Sequence, residues 1–291
     1  MSALTLGPAV MFTPADRPER YATALERADA VILDLEDAVT PEARPAARDA
    51  VAAAWAGRAC GVDGGPLDGD RVVVRVNPAG TADHDADLAM LAGTGWRTLM
   101  LAKAESAAQV DGVVAALGPQ TRVVALCETA AGILAAAELA AHPHVGALMW
   151  GAEDLVASMG GSSSRTPGGA YRSVVQHARA TVLLAAAAHG VAAWDAVHLD
   201  LVDEAGLAAE AEDAVALGCT ATVCLHPRQV PVVRSAYTPA PEAVERARRV
   251  LAAAEGRHGA FELDGAMVDE VVLAQARALL GRADAPRPGS A

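Results

Sequence analysis

The sequence predicts a closed (β/α)8 barrel, and three observations carry that reading. Short apolar runs rich in β-branched residues alternate eight times with longer, Ala-rich helical patterns. The first run is followed by "MFTPADR", which lacks the Gly-rich turn that an open doubly wound sheet places there. The length of 291 residues suits a barrel of about 250 residues with an extension.

Taken in order, strands are predicted at 8–12 (PAVMF), 30–36 (AVILDLE), 71–77 (RVVVRVN) and 98–103 (TLMLAK). The remaining four are 122–128 (RVVALCE), 145–151 (VGALMWG), 192–199 (AAWDAVHL) and 221–226 (ATVCLH). Near-continuous apolarity in these runs is the mark of parallel strands covered on both faces. Between them helices are predicted near 17–28, 41–56, 83–93, 106–117, 131–141, 171–189, 203–217 and 228–236. Thr40-Pro41 and Ser106 mark helix starts, and Gly118, Gly190 and Gly218 stand where helices stop. Residues 1–238 therefore form the barrel. Residues 239–291 form a helical extension, with helices near 241–256 and 269–282 and a short loop, "GRHGAFELDGAMVD", between them; it either seals the barrel or acts as a lid. Residues 57–70 are expected to be a surface loop and 284–291 a frayed tail.

Composition removes several function classes. A net charge of −13 without a basic cluster is no nucleic-acid footprint. No apolar run approaches the ~18 residues of a membrane span, and "MSALTLGPAV" lacks the basic and apolar regions of a secretory signal. Cys60, Cys127, Cys219 and Cys224 show no CxxC spacing and no partnered histidines, so a reducing cytoplasm is expected. The chain holds 22 arginines and one lysine, Lys103. In so Arg-rich a sequence the surviving lysine either persists by chance or fills a place that needs a compact ammonium.

Barrel strands end at one mouth, where catalytic side chains gather. The predicted strand ends supply Glu36 and Asp37, Arg75 and Asn77, Lys103 and Glu105, Glu128, Glu153 and Asp154, and His226. Asp37 and Asp154, each taken alone, read as loop or helix caps, and Arg75 reads as a structural partner of Asp37. Their joint occurrence at one mouth points to a site. Carboxylates on adjacent strands without a histidine suit Mg²⁺ or Mn²⁺, which keep most positions for water and substrate. An arginine beside them would grip a substrate carboxylate bidentately. Such a site suits enolate chemistry, in which charge develops on a polarised carbonyl oxygen. The loop "MGGSSSRTPGGAYR" (159–172) reads as a mobile segment or an anion cradle, and His142 and His144 as loop residues.

The strings "LDLEDAV", "VRVNP", "CETAAG", "WGAEDLVASMGG", "CLHPRQV" and "DGAMVD", in this order and spacing, resemble the citrate lyase β-subunit-like (CitE-like) branch of the HpcH/HpaI aldolase superfamily. The likeness runs from about residue 8 to 282 and is nearest to the stand-alone actinobacterial members. It implies a (β/α)8 barrel, usually a homotrimer, acting on CoA thioesters with Mg²⁺. By this resemblance Glu128 and Asp154 would ligate the metal. Arg75 and Glu128 would contact a small oxo-acid, with Asp37 and Lys103 beside them. Asp269 would be the general acid/base delivered from the lid of an adjacent subunit. Arg20 and the backbone at Val223 and Cys224 would lie near CoA. Two departures fall on the CoA side: "GCTATVCLHP" has Ala221-Thr222 where relatives carry Gly-Lys, and "TPA" replaces the usual "VPG".

The implied reaction is reversible C–C cleavage of a 3-hydroxyacyl-CoA bearing a 3-carboxylate, such as malyl-, citramalyl- or citryl-CoA. Thioester hydrolysis after condensation would make it a synthase. Two alternatives stand beside it: a Schiff-base aldolase using Lys103 without a metal, and a carrier-dependent lyase subunit active only within a complex.

Overall fold

The computed structural model describes residues 3–57, 67–257 and 259–284. Cys60, most of the expected 57–70 loop and the expected tail beyond residue 284 lie outside the described residues. The chain divides into two compact units, Met1–Val233 and Arg234–Ala291.

The first unit is a closed barrel of eight parallel strands in sequence order. They are β1 (Ala9–Pro14), β2 (Ala30–Asp34), β3 (Val72–Val76), β4 (Thr98–Leu101), β5 (Arg122–Cys127), β6 (Val145–Trp150), β7 (Ala192–Asp195) and β8 (Ala221–Cys224). Closure comes from β1 pairing β8 in the register Val10↔Val223. Alternate residues point inward, so Val10, Ile32, Val73, Met100, Val124, Met149 and Trp194 fill the barrel as one core. Leu4 joins this core: its N–H donates to the Gly146 carbonyl at 2.8 Å, and Trp194 Nε1 donates to the Leu4 carbonyl at 3.4 Å. Since Gly146 stands at the start of β6, Leu4 closes the end opposite the mouth.

Outer helices are α1 (Tyr21–Arg27), α2 (Arg44–Trp55), α3 (Ala82–Ala92), α4 (Ala107–Leu117), α5 (Ala130–Leu134) and α6 (Ala136–Ala141). They continue with α7 (Ala152–Ser158), α8 (Ser173–His189), α9 (Glu204–Ala216) and α10 (Gln229–Tyr237). The expected start at Thr40-Pro41 moves to Arg44, because residues 41–43 form a turn. Ser106 precedes α4 but makes no side-chain cap; Glu138 Oε1 accepts the Ala107 N–H instead, at 2.8 Å. Thr129 does cap α5, accepting from the Gly132 N–H at 3.0 Å. The short helix α7 escapes sequence reading because the Gly160-Gly161 pair stops it after two turns.

The second unit holds α11 (Pro241–Ala254), a two-stranded antiparallel hairpin of β9 (Phe261–Leu263) and β10 (Ala266–Val268), and α12 (Glu270–Ala283). The hairpin replaces the loop expected there. Its turn residues, Asp264 and Gly265, take φ of 52° and 77°; two positive values in sequence are what an Asp-Gly hairpin turn requires. Ala247, Val250, Val268 and Ala276 form the core of this unit.

Among the described residues no helix is long and apolar enough to cross a membrane. Burial pushes the Cys127 and Cys219 thiols up to about 12. Because the thiolate is the reactive species, iodoacetamide at about pH 8 should leave both unmodified in the native protein. Mass spectrometry of tryptic peptides, with the guanidinium-unfolded chain as the labelled reference, checks this.

Candidate active site at the barrel mouth

The inward parity of the strands decides which side chains meet. On β2, Ala30 and Ile32 face the core, so Asp34 is the next inward residue, and on β3 Val73 is followed by Arg75. The register pairs Asp34 directly with Arg75. Their side chains form a fork: Arg75 Nε and Nη2 each donate to Asp34 at 2.6 Å. Asp34 also accepts the N–H groups of Glu36 and Ala38, both at 3.0 Å, fixing the loop that follows.

Arg75 therefore pairs chiefly with Asp34, and the Asp37 partner that the sequence suggested is a second, longer ion pair. Asp37 Oδ2 stands 3.8 Å from Arg75 Nη1, and its side chain is 58% exposed. The fork expected for a substrate carboxylate is occupied by Asp34, and Nη1, 3.0 Å from Glu36 Oε2, is the remaining edge. Phe12 lies under the guanidinium, 4.7 Å from its carbon to the ring centre. Burial opposes the Arg75 cation, but the Asp34 charge outweighs it and holds the guanidinium above its ordinary range.

Lys103 gathers the other acids. Its Nζ donates to Glu36 Oε1 at 2.6 Å and lies 3.2 Å from Asp154 Oδ1 and 3.9 Å from Glu128 Oε1. The residue takes φ of 50°, the left-handed region. That turns its N–H onto Glu128 Oε1 at 3.1 Å. Asp154 arrives from the first turn of α7, Glu128 from the residue after β5. Burial pushes the Glu128 carboxyl up to about 8, with the Asp154 charge adding to it; burial likewise raises Glu36. Lys103 is held above its ordinary range: burial opposes its charge, but the bond to Glu36 and the Glu128 and Asp154 charges prevail. An ammonium so enclosed stays protonated and is a poor Schiff-base nucleophile.

The remaining strand-end residues go elsewhere. Asn77 latches β3 to α3, donating its N–H and Nδ2 to buried Asp87. Glu105 accepts from Thr129 at 2.6 Å, Glu153 accepts from Ser164, and His226 Nδ1 accepts the Arg228 N–H. Val223 and Cys224 are fully buried in β8, and Leu225 is the first residue beyond them with accessible surface. Arg20 is exposed after β1. In the second unit, Asp269 caps α12, its Oδ1 accepting the Val272 N–H at 3.1 Å. The 159–172 loop is fastened: Arg165 stacks on Tyr171 at 3.8 Å and donates to Glu210 and the Gly169 carbonyl. His142 and His144 serve the loop between α6 and β6, beside Asp111 and the Thr121 carbonyl.

Among the described residues no cluster of three or more His, Cys, Asp and Glu is placed to hold a metal. A pair of hard carboxylates is nevertheless the donor set that Mg²⁺ uses when water and substrate complete the octahedron. Glu128 and Asp154 fit it, since a divalent cation offsets both the burial and the mutual repulsion that raise Glu128. Asp34, the first carboxylate of "DLED", has no assigned partner from sequence alone; strand parity was the signal for its pairing with Arg75.

The family model for HpcH/HpaI aldolase/citrate lyase matches residues 9–227. A citrate lyase subunit beta-like protein of Mycobacterium tuberculosis is 53% identical over 283 residues, covering 97% of this chain and 98% of the relative. A (3S)-malyl-CoA thioesterase of Cereibacter sphaeroides is 34% identical over 285 residues, covering 95% and 94%. Among solved structures, CitE of M. tuberculosis in complex with magnesium, acetoacetate and coenzyme A superimposes with a TM-score of 0.87 at 52% identity, covering 97% of this chain and all of that one.

Proposed function

The chain belongs to the HpcH/HpaI aldolase/citrate lyase family, and from that premise we propose that it is a Mg²⁺-dependent carbon–carbon lyase of 3-hydroxyacyl-CoA thioesters such as malyl-, citramalyl- or citryl-CoA. The observation that carries the reading is the approach of Glu128 and Asp154 to one cationic position at the mouth, beside Arg75. Those two carboxylates would hold the ion, which when bound supplies positive charge for the oxygen of the substrate. Arg75 Nη1 faces the 3-carboxylate, and Asp34 keeps the guanidinium oriented. Lys103 and Asp37 complete the polar wall. Cleavage releases the C3 hydroxyl proton to solvent and breaks the C2–C3 bond, the alkoxide becoming the carbonyl of the oxo-acid and the C2–C3 electron pair the acetyl-CoA enolate. Asp269 protonates that enolate, or removes the α-proton in the condensing direction. Arg20, exposed and cationic beyond β1, suits the phosphates of CoA, and the chain around Val223 and Cys224 borders the same side.

The helical extension is read as a lid, closing over the barrel of a neighbour in a cytoplasmic homotrimer. Its support is a carboxylate, Asp269, held at a helix start in a unit of its own. The thioesterase relative favours a second outcome, hydrolysis of the condensed thioester. A panel of CoA thioesters incubated with and without Mg²⁺ and followed by mass spectrometry tests the proposal. Acetyl-CoA plus oxo-acid identifies the lyase and free CoA plus hydroxy-acid the thioesterase; no turnover of any ester would refute both. For the trimer, mixed refolding of inactive Glu128→Gln and Asp269→Asn chains should restore activity. A mixture as inactive as its parts would place lid and barrel in the same subunit.

A further inference from the structure

We infer that Gly151 is a positioning residue: with the main chain of Lys103 it forms a backbone slot that sets the Glu128 carboxylate. The inference rests on the reading of Glu128 as a metal ligand. Gly151 has φ of −129° and ψ of 129°, ordinary extended backbone open to any residue. Conformation therefore does not call for glycine here. Its N–H donates to the Cys127 carbonyl at 3.3 Å, prolonging the pairing of β5 and β6 by one step. That pairing brings its Cα against Glu128. A Cβ at position 151 would stand 2.9 Å from Glu128 Cβ and 3.0 Å from Oε2. The nearer atom is the root of the side chain, so no rotation of the carboxylate relieves the overlap.

The other oxygen is fixed from the opposite side. The N–H groups of Ala102 and Ala104 stay in sheet register, donating to the Val76 and Leu126 carbonyls at 3.4 and 3.0 Å. Lys103 between them swings to positive φ and delivers its own N–H to Oε1. The Glu128 carboxylate is thus bounded by main chain just past two barrel strands, Lys103 two residues beyond β4 and Gly151 one beyond β6. Partners that orient a metal ligand typically carry 10–100-fold in metal affinity or activity.

Gly151→Ala is the test. In EDTA the variant should stay folded by circular dichroism, while calorimetry shows Mg²⁺ binding weakened about 10–100-fold. A thermal-stability cycle with Glu128→Gly, which removes both clashing atoms, should show that Gly151→Ala costs stability in the wild-type background and none beside Glu128→Gly. Unchanged Mg²⁺ affinity would overturn the inference, and so would an equal stability cost in both backgrounds. Should the metal reading itself be wrong, Glu128→Gln would bind Mg²⁺ normally while the stability coupling in EDTA persisted, so the two failures are told apart.

Discussion

Replacing Glu128 with glutamine is expected to lower turnover of malyl- or citramalyl-CoA about 10³-fold while leaving the barrel intact. The amide has the volume of the acid, fits between Lys103 and Gly151, and still accepts the Lys103 N–H through its oxygen. It lacks the charge that would hold Mg²⁺, and the ion is worth several kcal/mol to a developing oxyanion; each ~1.4 kcal/mol is tenfold in rate. Stability should move the other way. The folded Glu128 carboxyl is raised to about 8, because burial disfavours its charge. A raised acid contributes stability that is complete below the ordinary carboxylate range and is lost as pH climbs through about 8. In EDTA, Glu128→Gln should therefore equal the wild type near pH 4 and melt higher than it at about pH 8.5, with Mg²⁺ narrowing the gap by stabilising the wild type alone. Steady-state kinetics and melting curves at both pH values check this. Full activity in the variant would remove the metal role.

Much of this was legible in the chain. The eight apolar runs fall on the eight strands because strands covered on both faces need continuous apolarity, a local property. Arg75, Glu128 and Asp154 were found at the mouth because polarity at the end of such a run has nowhere else to go. Asn77, Glu105, Glu153 and His226 satisfy the same rule but serve neighbouring loops and helices, since one residue past a strand the chain turns and parity no longer tells in from out. Lys103 shows the same limit: its left-handed φ, invisible in "LAKAE", lets one residue reach Glu128 by its backbone and Glu36 by its side chain. The Asp264-Gly265 hairpin was readable from its turn, but the flanking strands are three residues each, too short for an alternation to register.

Asp34→Ala is expected to cost roughly 3–5 kcal/mol, the range for removing one partner of a buried ion pair. Asp34 is 1% exposed and Arg75 7%, so water cannot replace the lost carboxylate. The guanidinium would keep Glu36 at 3.0 Å, but Glu36 already carries the Lys103 ammonium at 2.6 Å. Two backbone N–H groups, of Glu36 and Ala38, would also lose their acceptor. In a chain of this size the melting midpoint should fall by roughly 10 °C. Because the orientation of Nη1 depends on the fork behind it, KM for the oxo-acid in the condensing direction should rise in whatever protein remains folded. Asp37→Ala is the control. Its carboxylate is more than half exposed and 3.8 Å from Arg75, so its removal should change stability by no more than about 1 kcal/mol. Urea unfolding of both variants decides the pairing. A larger loss from Asp37→Ala would return Arg75 to the partner that the sequence first suggested, and would free its fork to bind a substrate carboxylate through two bonds.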